Sequence, residues 1–271
     1  MISFKAAVIQ DHGYPETQVA IKKYSLGIRE AAKWGAKLIV LPELHNSLHY
    51  SQVEREKVHN LAEMIPGQST ALFCTLAHEL QVVLIISVFE QERALPLHPT
   101  AVVIDQNGMI AGKHHCPAPH QSDSAVAPIH TSLGKIGVLM GSALFSMTAA
   151  RSYQTQGADL LVAPSAMAWH QHHADDMSKR LALDNWLKMQ YHHAVSSGLP
   201  VLVCNRIGLE NFANQCQHFW GSSFIAGPRG DLLSHALNHG QREVLMAGIK
   251  TRSSTIDLHS QGMPVSAVVN G

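Results

Sequence analysis

The chain predicts an α/β protein built as a four-layer α-β-β-α sandwich, and two kinds of observation carry that expectation. Short, almost wholly apolar runs such as "AKLIVLPEL", "VVLIISVFE" and "ADLLVAPSA" read as strands buried on both faces, and they alternate with longer segments of helical periodicity. Hairpin signals also occur, near residues 100–113 and 219–235, so antiparallel strands must extend the parallel ones. Two mixed sheets packed face to face, with helices outside, satisfy both.

The elements follow in chain order. "FKAAVIQ" is a first strand, and Val19, Ala20, Leu26, Ala31 and Trp34 mark a helix over residues 16–34. "AKLIVLPEL" is a second strand, closed by Pro42. Residues 51–64 and 69–80 read as helices, the second capped by Ser69 after "PGQS". "VVLIISVFE" is a strand, and "TAVVIDQNGMIAGK" is a hairpin around an Asn-Gly turn. "GKIGVLMG" and "ADLLVAPSA" are strands flanking a helix over residues 144–156. "KRLALDNWLKMQYHHAVSSG" is a long helix ended by Gly198. "LPVLVCNRIG", "HFWGSSFIAGPRGDLLS" and "REVLMAGI" complete the strands.

A chain of 271 residues with 46% hydrophobic content can bury a large core. Twenty basic and 20 acidic residues cancel, which leaves no electrostatic footprint for nucleic acid or an anionic membrane. The N-terminal "MISFKAAVIQ" lacks the pattern of a secretory leader, and no apolar run reaches bilayer-spanning length, so a cytoplasmic location is expected. Cys74, Cys116, Cys204 and Cys216 form no CxxC pair and are expected to be reduced thiols. Histidine is abundant, at 19 residues, with clusters at 45–49, 114–115, 170–173 and 192–193. His45 with His49 and His170 with His173 have spacings that zinc sites use, but no carboxylate motif accompanies them, and capping or exposed roles are expected instead of metal.

The blocks "AAKWGAKLIVLPELHNSLHYSQ", "LHPTAVVIDQNGMIAGK", "KIGVLM", "AARSYQTQGADLLVAPSA", "LPVLVCNRIG" and "GSSFIAGPRGDLL" stand in this order along the chain. Together they resemble the nitrilase superfamily of carbon–nitrogen hydrolases, nearest its N-carbamoylputrescine amidase and β-ureidopropionase branch. The resemblance implies one hydrolase-like domain over 1–271, matching about 4–249, with a divergent tail at 250–271. It implies hydrolysis of an amide or carbamoyl C–N bond without a cofactor, by a cysteine nucleophile, a glutamate base and a lysine that steadies the oxyanion.

Carried onto this chain, the base falls on Glu43, and aligning "KIGV" with "AAR" without gaps puts Gly141 where the family has its cysteine. The lysine falls on Cys116 when aligned from the Asn-Gly turn, or on Lys113 when "HCP" is matched with a gap. The family's second glutamate has Ser122 nearest it. His45, Cys116, Ser142 and Asn205 are the expected substrate-binding residues.

Gly141 also satisfies a turn that needs an unusual backbone angle, and that role is compatible with loss of the nucleophile. Ser142 as a shifted nucleophile, or Cys116 as a substitute, would need a base within reach. Glu43, without a thiol to deprotonate, is free to hold local hydrogen bonds or to bind a cationic amine. The expectation is a pseudo-amidase that retains a pocket for a small amide, carbamoyl or amine ligand. Alternatives are altered chemistry using Glu43 with Cys116, Lys113 or a histidine, and a structural subunit paired with an active homologue. The family's dimer face maps to residues 149–156, so a homodimer is expected.

Overall fold

A computed structural model describes residues 2–49, 58–92, 97–116, 127–169, 175–212, 215–237 and 240–251. Its elements in order are β1 (Ile2–Gln10), α1 (Thr17–Lys33), β2 (Ala36–Val40), α2 (Gln68–Leu80), β3 (Val83–Glu90), β4 (His98–Ile104) and β5 (Ile110–His115). There follow β6 (Ile129–Thr131), β7 (Gly134–Val138), α3 (Met147–Thr155), β8 (Leu160–Ser165), β9 (Ala168–Trp169) and α4 (Asp176–Ser197). The chain continues through β10 (Val201–Asn205), β11 (Ile207–Phe212), β12 (Gln215–Trp220), β13 (Phe224–Ala226), β14 (Leu232–His235) and β15 (Glu243–Thr251).

One six-stranded sheet has the order β15-β1-β2-β3-β4-β5 and the other β14-β13-β10-β8-β7-β6. In each, three central strands run parallel (β1, β2, β3 and β7, β8, β10) and antiparallel strands extend the flanks. Side-chain alternation along the strands assigns the layers. Ala6, Val8, Val83 and Ile85 of the first sheet share one core with Ile136, Val138, Leu160 and Val162 of the second. The intervening residues Ala7, Ile9, Leu84 and Ile86 face α1 and α2 through Tyr24, Ile28 and Phe73. On the other side Leu161, Ala163 and Val203 pack with Ala150, Tyr153, Trp186 and Ala194 of α3 and α4. The result is the expected α-β-β-α sandwich.

The hairpin at β4 and β5 turns at Gly108, whose φ of 78° is one that glycine adopts freely. α4 begins at Asp175, whose side chain accepts from the Ser178 N–H at 2.7 Å, and ends at Gly198 in the left-handed region. Local readings differ at four places. α2 is capped by Gly67, not Ser69: the Thr70 hydroxyl accepts from the Gly67 N–H, while the Ser69 N–H donates to Glu63 Oε2. The described end of the expected 51–64 helix is a single tight turn at Val58–Leu61. The helix expected from residue 144 is broken by extended backbone at Ser146, which separates a 3₁₀ turn (Gly141–Phe145) from α3. Finally, β9, β12 and β11 form a third, three-stranded sheet. Among the described residues no helix is long and apolar enough to cross a membrane.

Candidate active site

Parallel strands present their carboxyl ends together, and the turns that leave those ends are where open α/β sheets place chemistry. Glu43 leaves β2, Gly141 leaves β7, Ser165 ends β8 and Arg206 follows β10. Val138 of β7 pairs with Val162 of β8, and Gly141 and Ser165 each follow three residues further on. The Glu43 N–H donates to the Ser165 carbonyl at 3.3 Å, tying the β2 end of one sheet to the β8 end of the other. Glu43 is thereby joined at this corner to the end of β8, the strand next to β7, which Gly141 leaves.

Glu43 is only 8% exposed. Burial raises its carboxyl pKa to about 7, and the positive charge of Arg206 opposes that rise in part. A carboxyl in that range exchanges its proton near neutrality, which suits a base or a hydrogen-bond donor to a carbonyl.

Arg206 is fully buried. Its Nη1 donates to Glu210 Oε1 at 2.8 Å, and its Nη2 donates to the carbonyls of Leu44 (2.7 Å) and Ser47 (2.8 Å). The guanidinium thus anchors the loop behind Glu43. Sequence reasoning missed it, although a lone arginine closing the apolar run "LPVLVCNR" was a visible signal.

Gly141 is half-buried with φ of 54°, in the left-handed region that disfavours a Cβ. Ser142 beside it is exposed. The Leu144 carbonyl in the same turn accepts from Gln190 Nε2 (2.7 Å) and lies 3.0 Å from His193 Nε2, which pins the turn to α4.

The β4–β5 register separates the two candidates for the lysine role. His115 pairs with Thr100 and Lys113 with Val102, on the face of the sheet that carries Glu90. Lys113 Nζ binds Glu90 Oε1 at 2.6 Å and also Glu92. Cys116 faces the other way, half-buried against the core between the sheets. Among the described contacts none joins Lys113 to Glu43.

His45 is buried between Tyr24 and Phe73, at ring separations of 5.3 and 4.9 Å, with Nδ1 2.8 Å from the Ser87 carbonyl. Burial lowers its pKa to about 3, so it stays neutral. The Asn205 amide accepts from the Met167 N–H (2.7 Å) and donates to the carbonyls of Met167 (3.1 Å) and Gly221 (2.9 Å), holding the loop after β8. Both are positioned as supports behind the corner. Ser122 and the histidines at 170–173 lie outside the described residues.

This corner, set in this sandwich, defines a carbon–nitrogen hydrolase scaffold. Residues 5–255 match the carbon-nitrogen hydrolase family model. The chain is 30% identical to a citrullinase of Francisella tularensis over 89% of its own length and 87% of the relative's. It is 31% identical to an N-carbamoylputrescine amidase of Solanum lycopersicum, covering 77% of this chain and 74% of that one. The crystal structure of a carbon-nitrogen hydrolase from Helicobacter pylori superposes with a TM-score of 0.84 at 30% identity, covering 92% and 90% of the two chains. An amidase mutant from Nesterenkonia sp. in complex with acrylamide superposes at 0.69 with 17% identity, covering 91% and 90%, and supports the fold. The chain belongs to the carbon–nitrogen hydrolase family, in the nitrilase superfamily.

Proposed function

We propose that this member has lost the cysteine-dependent reaction and keeps the corner at Glu43 and Gly141 as a binding site for a small amide, carbamoyl or amine ligand. The observation that carries the reading is Gly141. It occupies the turn that leaves β7, and the family resemblance puts the attacking cysteine at this position, where this chain has only backbone. Loss of an activated nucleophile costs roughly a millionfold, about 8 kcal/mol of barrier. Cys116, on the inward face at the end of β5, takes the position of the lysine in the ungapped alignment, so the oxyanion also lacks its fixed cation. Glu43, buried and titrating near neutrality, supplies the recognition: neutral, it donates to a carbonyl; ionised, it receives an amine.

Self-association through the α3 face is part of the same proposal, supported by Phe145 just before that helix and Met147 at its start, each 49% exposed. A cytoplasmic location is part of the same proposal, and the unpaired Cys74, Cys116, Cys204 and Cys216 fit it.

The test uses the relatives' chemistry. Incubated with N-carbamoylputrescine or butyramide, purified protein should release no ammonia, and acrylamide should leave no mass adduct on the 135–151 segment. The same compounds should raise the melting temperature of the wild type and not of Glu43→Gln. Ammonia release at a rate typical of an amidase, or an acyl adduct in that segment, overturns the reading.

A further inference from the structure

On the outward face of the first sheet, away from Cys116, the ends of β3, β4 and β5 bring together Glu90, His98 and His115. One ligand atom from each lies within 4.8 Å of the others. We propose that these three side chains form a binding site for a divalent transition metal such as Zn²⁺, separate from the corner that holds Glu43.

The donor set is two imidazoles and a carboxylate, a combination zinc accepts while keeping one position open. Glu90 is 1% exposed and divides its two oxygens. Oε1 takes the Lys113 ammonium at 2.6 Å, while Oε2 accepts the Thr100 hydroxyl at 2.7 Å and faces the two imidazoles. That hydroxyl orients the carboxylate from behind, as partners of metal ligands commonly do.

His115 Nε2 lies 3.3 Å from Oε2. This is long for a charge-assisted hydrogen bond, which is about 2.7–2.9 Å. It equals the edge, about 3.3 Å, of a tetrahedron with metal bonds of about 2.0–2.1 Å. His98 Nε2 lies 3.9 Å from the same oxygen, and it is buried without a hydrogen-bond partner. A buried imidazole nitrogen left unmatched costs free energy, and a metal would satisfy it. The two rings are tilted by 34° with centroids 4.4 Å apart, which places both imidazoles beside the same carboxylate oxygen. Glu92 Oε1, 3.8 Å from His115 Nε2, is placed to supply a fourth ligand.

The nearby ammonium of Lys113 repels an incoming cation. The site is therefore tuned downward by a residue that is not itself a ligand.

Titration of chelator-treated, full-length protein with Zn²⁺, followed by calorimetry and by metal analysis after dialysis, tests the assignment. One equivalent should bind, His98→Ala and His115→Ala should each weaken binding by at least ~10-fold, and Lys113→Gln should tighten it severalfold. With Co²⁺ as probe, visible absorption of a tetrahedral complex should appear in the wild type and vanish in His98→Ala. His115 is one-third exposed, so its variant is expected to stay folded, and a thermal melt checks this. Absence of binding by the wild type overturns the site. Binding unchanged in both histidine variants places the metal elsewhere and equally overturns it, as does a Lys113→Gln protein that binds no more tightly.

Discussion

Arg206 donates to the Leu44 carbonyl at 2.7 Å, a bond that spans the two sheets and joins the end of β10 to the residue beside Glu43. The same guanidinium holds Ser47 and Glu210, and its Cζ lies 5.2 Å from the Phe219 ring centre. Removing one partner of a buried ion pair leaves the other charge uncompensated and costs about 3–5 kcal/mol. Arg206→Met should therefore unfold at clearly lower denaturant. Arg206→Lys should recover little of the loss, because a single ammonium cannot reproduce the planar fork that meets these acceptors. Urea titration of the three proteins decides it.

Glu43 should make the protein less stable as pH rises through neutrality. Its folded pKa of about 7 lies above the ordinary carboxyl value of 4.5, so its contribution is fully present below about 4.5 and is lost as pH climbs through 7. Glu43→Gln removes the ionisation. It should gain on the order of 2–3 kcal/mol relative to wild type at pH 8 compared with pH 4.5. Equal differences at both pH values would show that the carboxyl is not desolvated.

Three imidazoles, His45 and His114 buried and His49 half-buried, act in the opposite sense. Burial lowers the pKa of His45 and His49 to about 3 and of His114 to about 4, all from 6.5. Below 6.5 the unfolded chain takes up protons that these rings refuse, so stability falls with acidification, about 1.4 kcal/mol per pH unit for each ring. Glu43 offsets one of the three between pH 6.5 and 4.5. The net slope remains toward acid instability, and His114→Gln should flatten it by about one proton. Denaturation midpoints at pH 7, 6 and 5 measure this.

Gly141→Cys should not restore hydrolysis, because Cys116 still stands in the lysine's ungapped position. It should also lower stability by about 1 kcal/mol, since a Cβ is placed at φ of 54°. Ammonia release and a thermal melt read the two effects. Efficient turnover by this single variant would refute the assignment of the β5 end.

The sandwich was legible because both-face burial leaves nearly pure apolar runs, as in β3 and β8, and because Asn107-Gly108 marks its hairpin directly. The third sheet was not. β11 reads "IGLENF", which lacks apolar–polar alternation, and it pairs with the adjacent β12 although no Asn-Gly or Asp-Gly signal lies between them. The cap of α2 was misassigned because the serine after the glycine is the commoner cap, while here Thr70 bonds back to Gly67. At the site, Glu43 and Gly141 came from an ordered motif. Arg206 and Glu90 carry no motif, and they acquire meaning only when strands distant in sequence set them against Leu44 and His115.

β1 and β15 pair along their whole lengths, from Ile2 with Thr251 to Gln10 with Glu243. As the polypeptide leaves the ribosome, that flank of β1 must wait with its amides unclaimed until residues 11–242 and then β15 have been made. That edge is a standing invitation to neighbouring nascent chains, and the closing strand is what withdraws it.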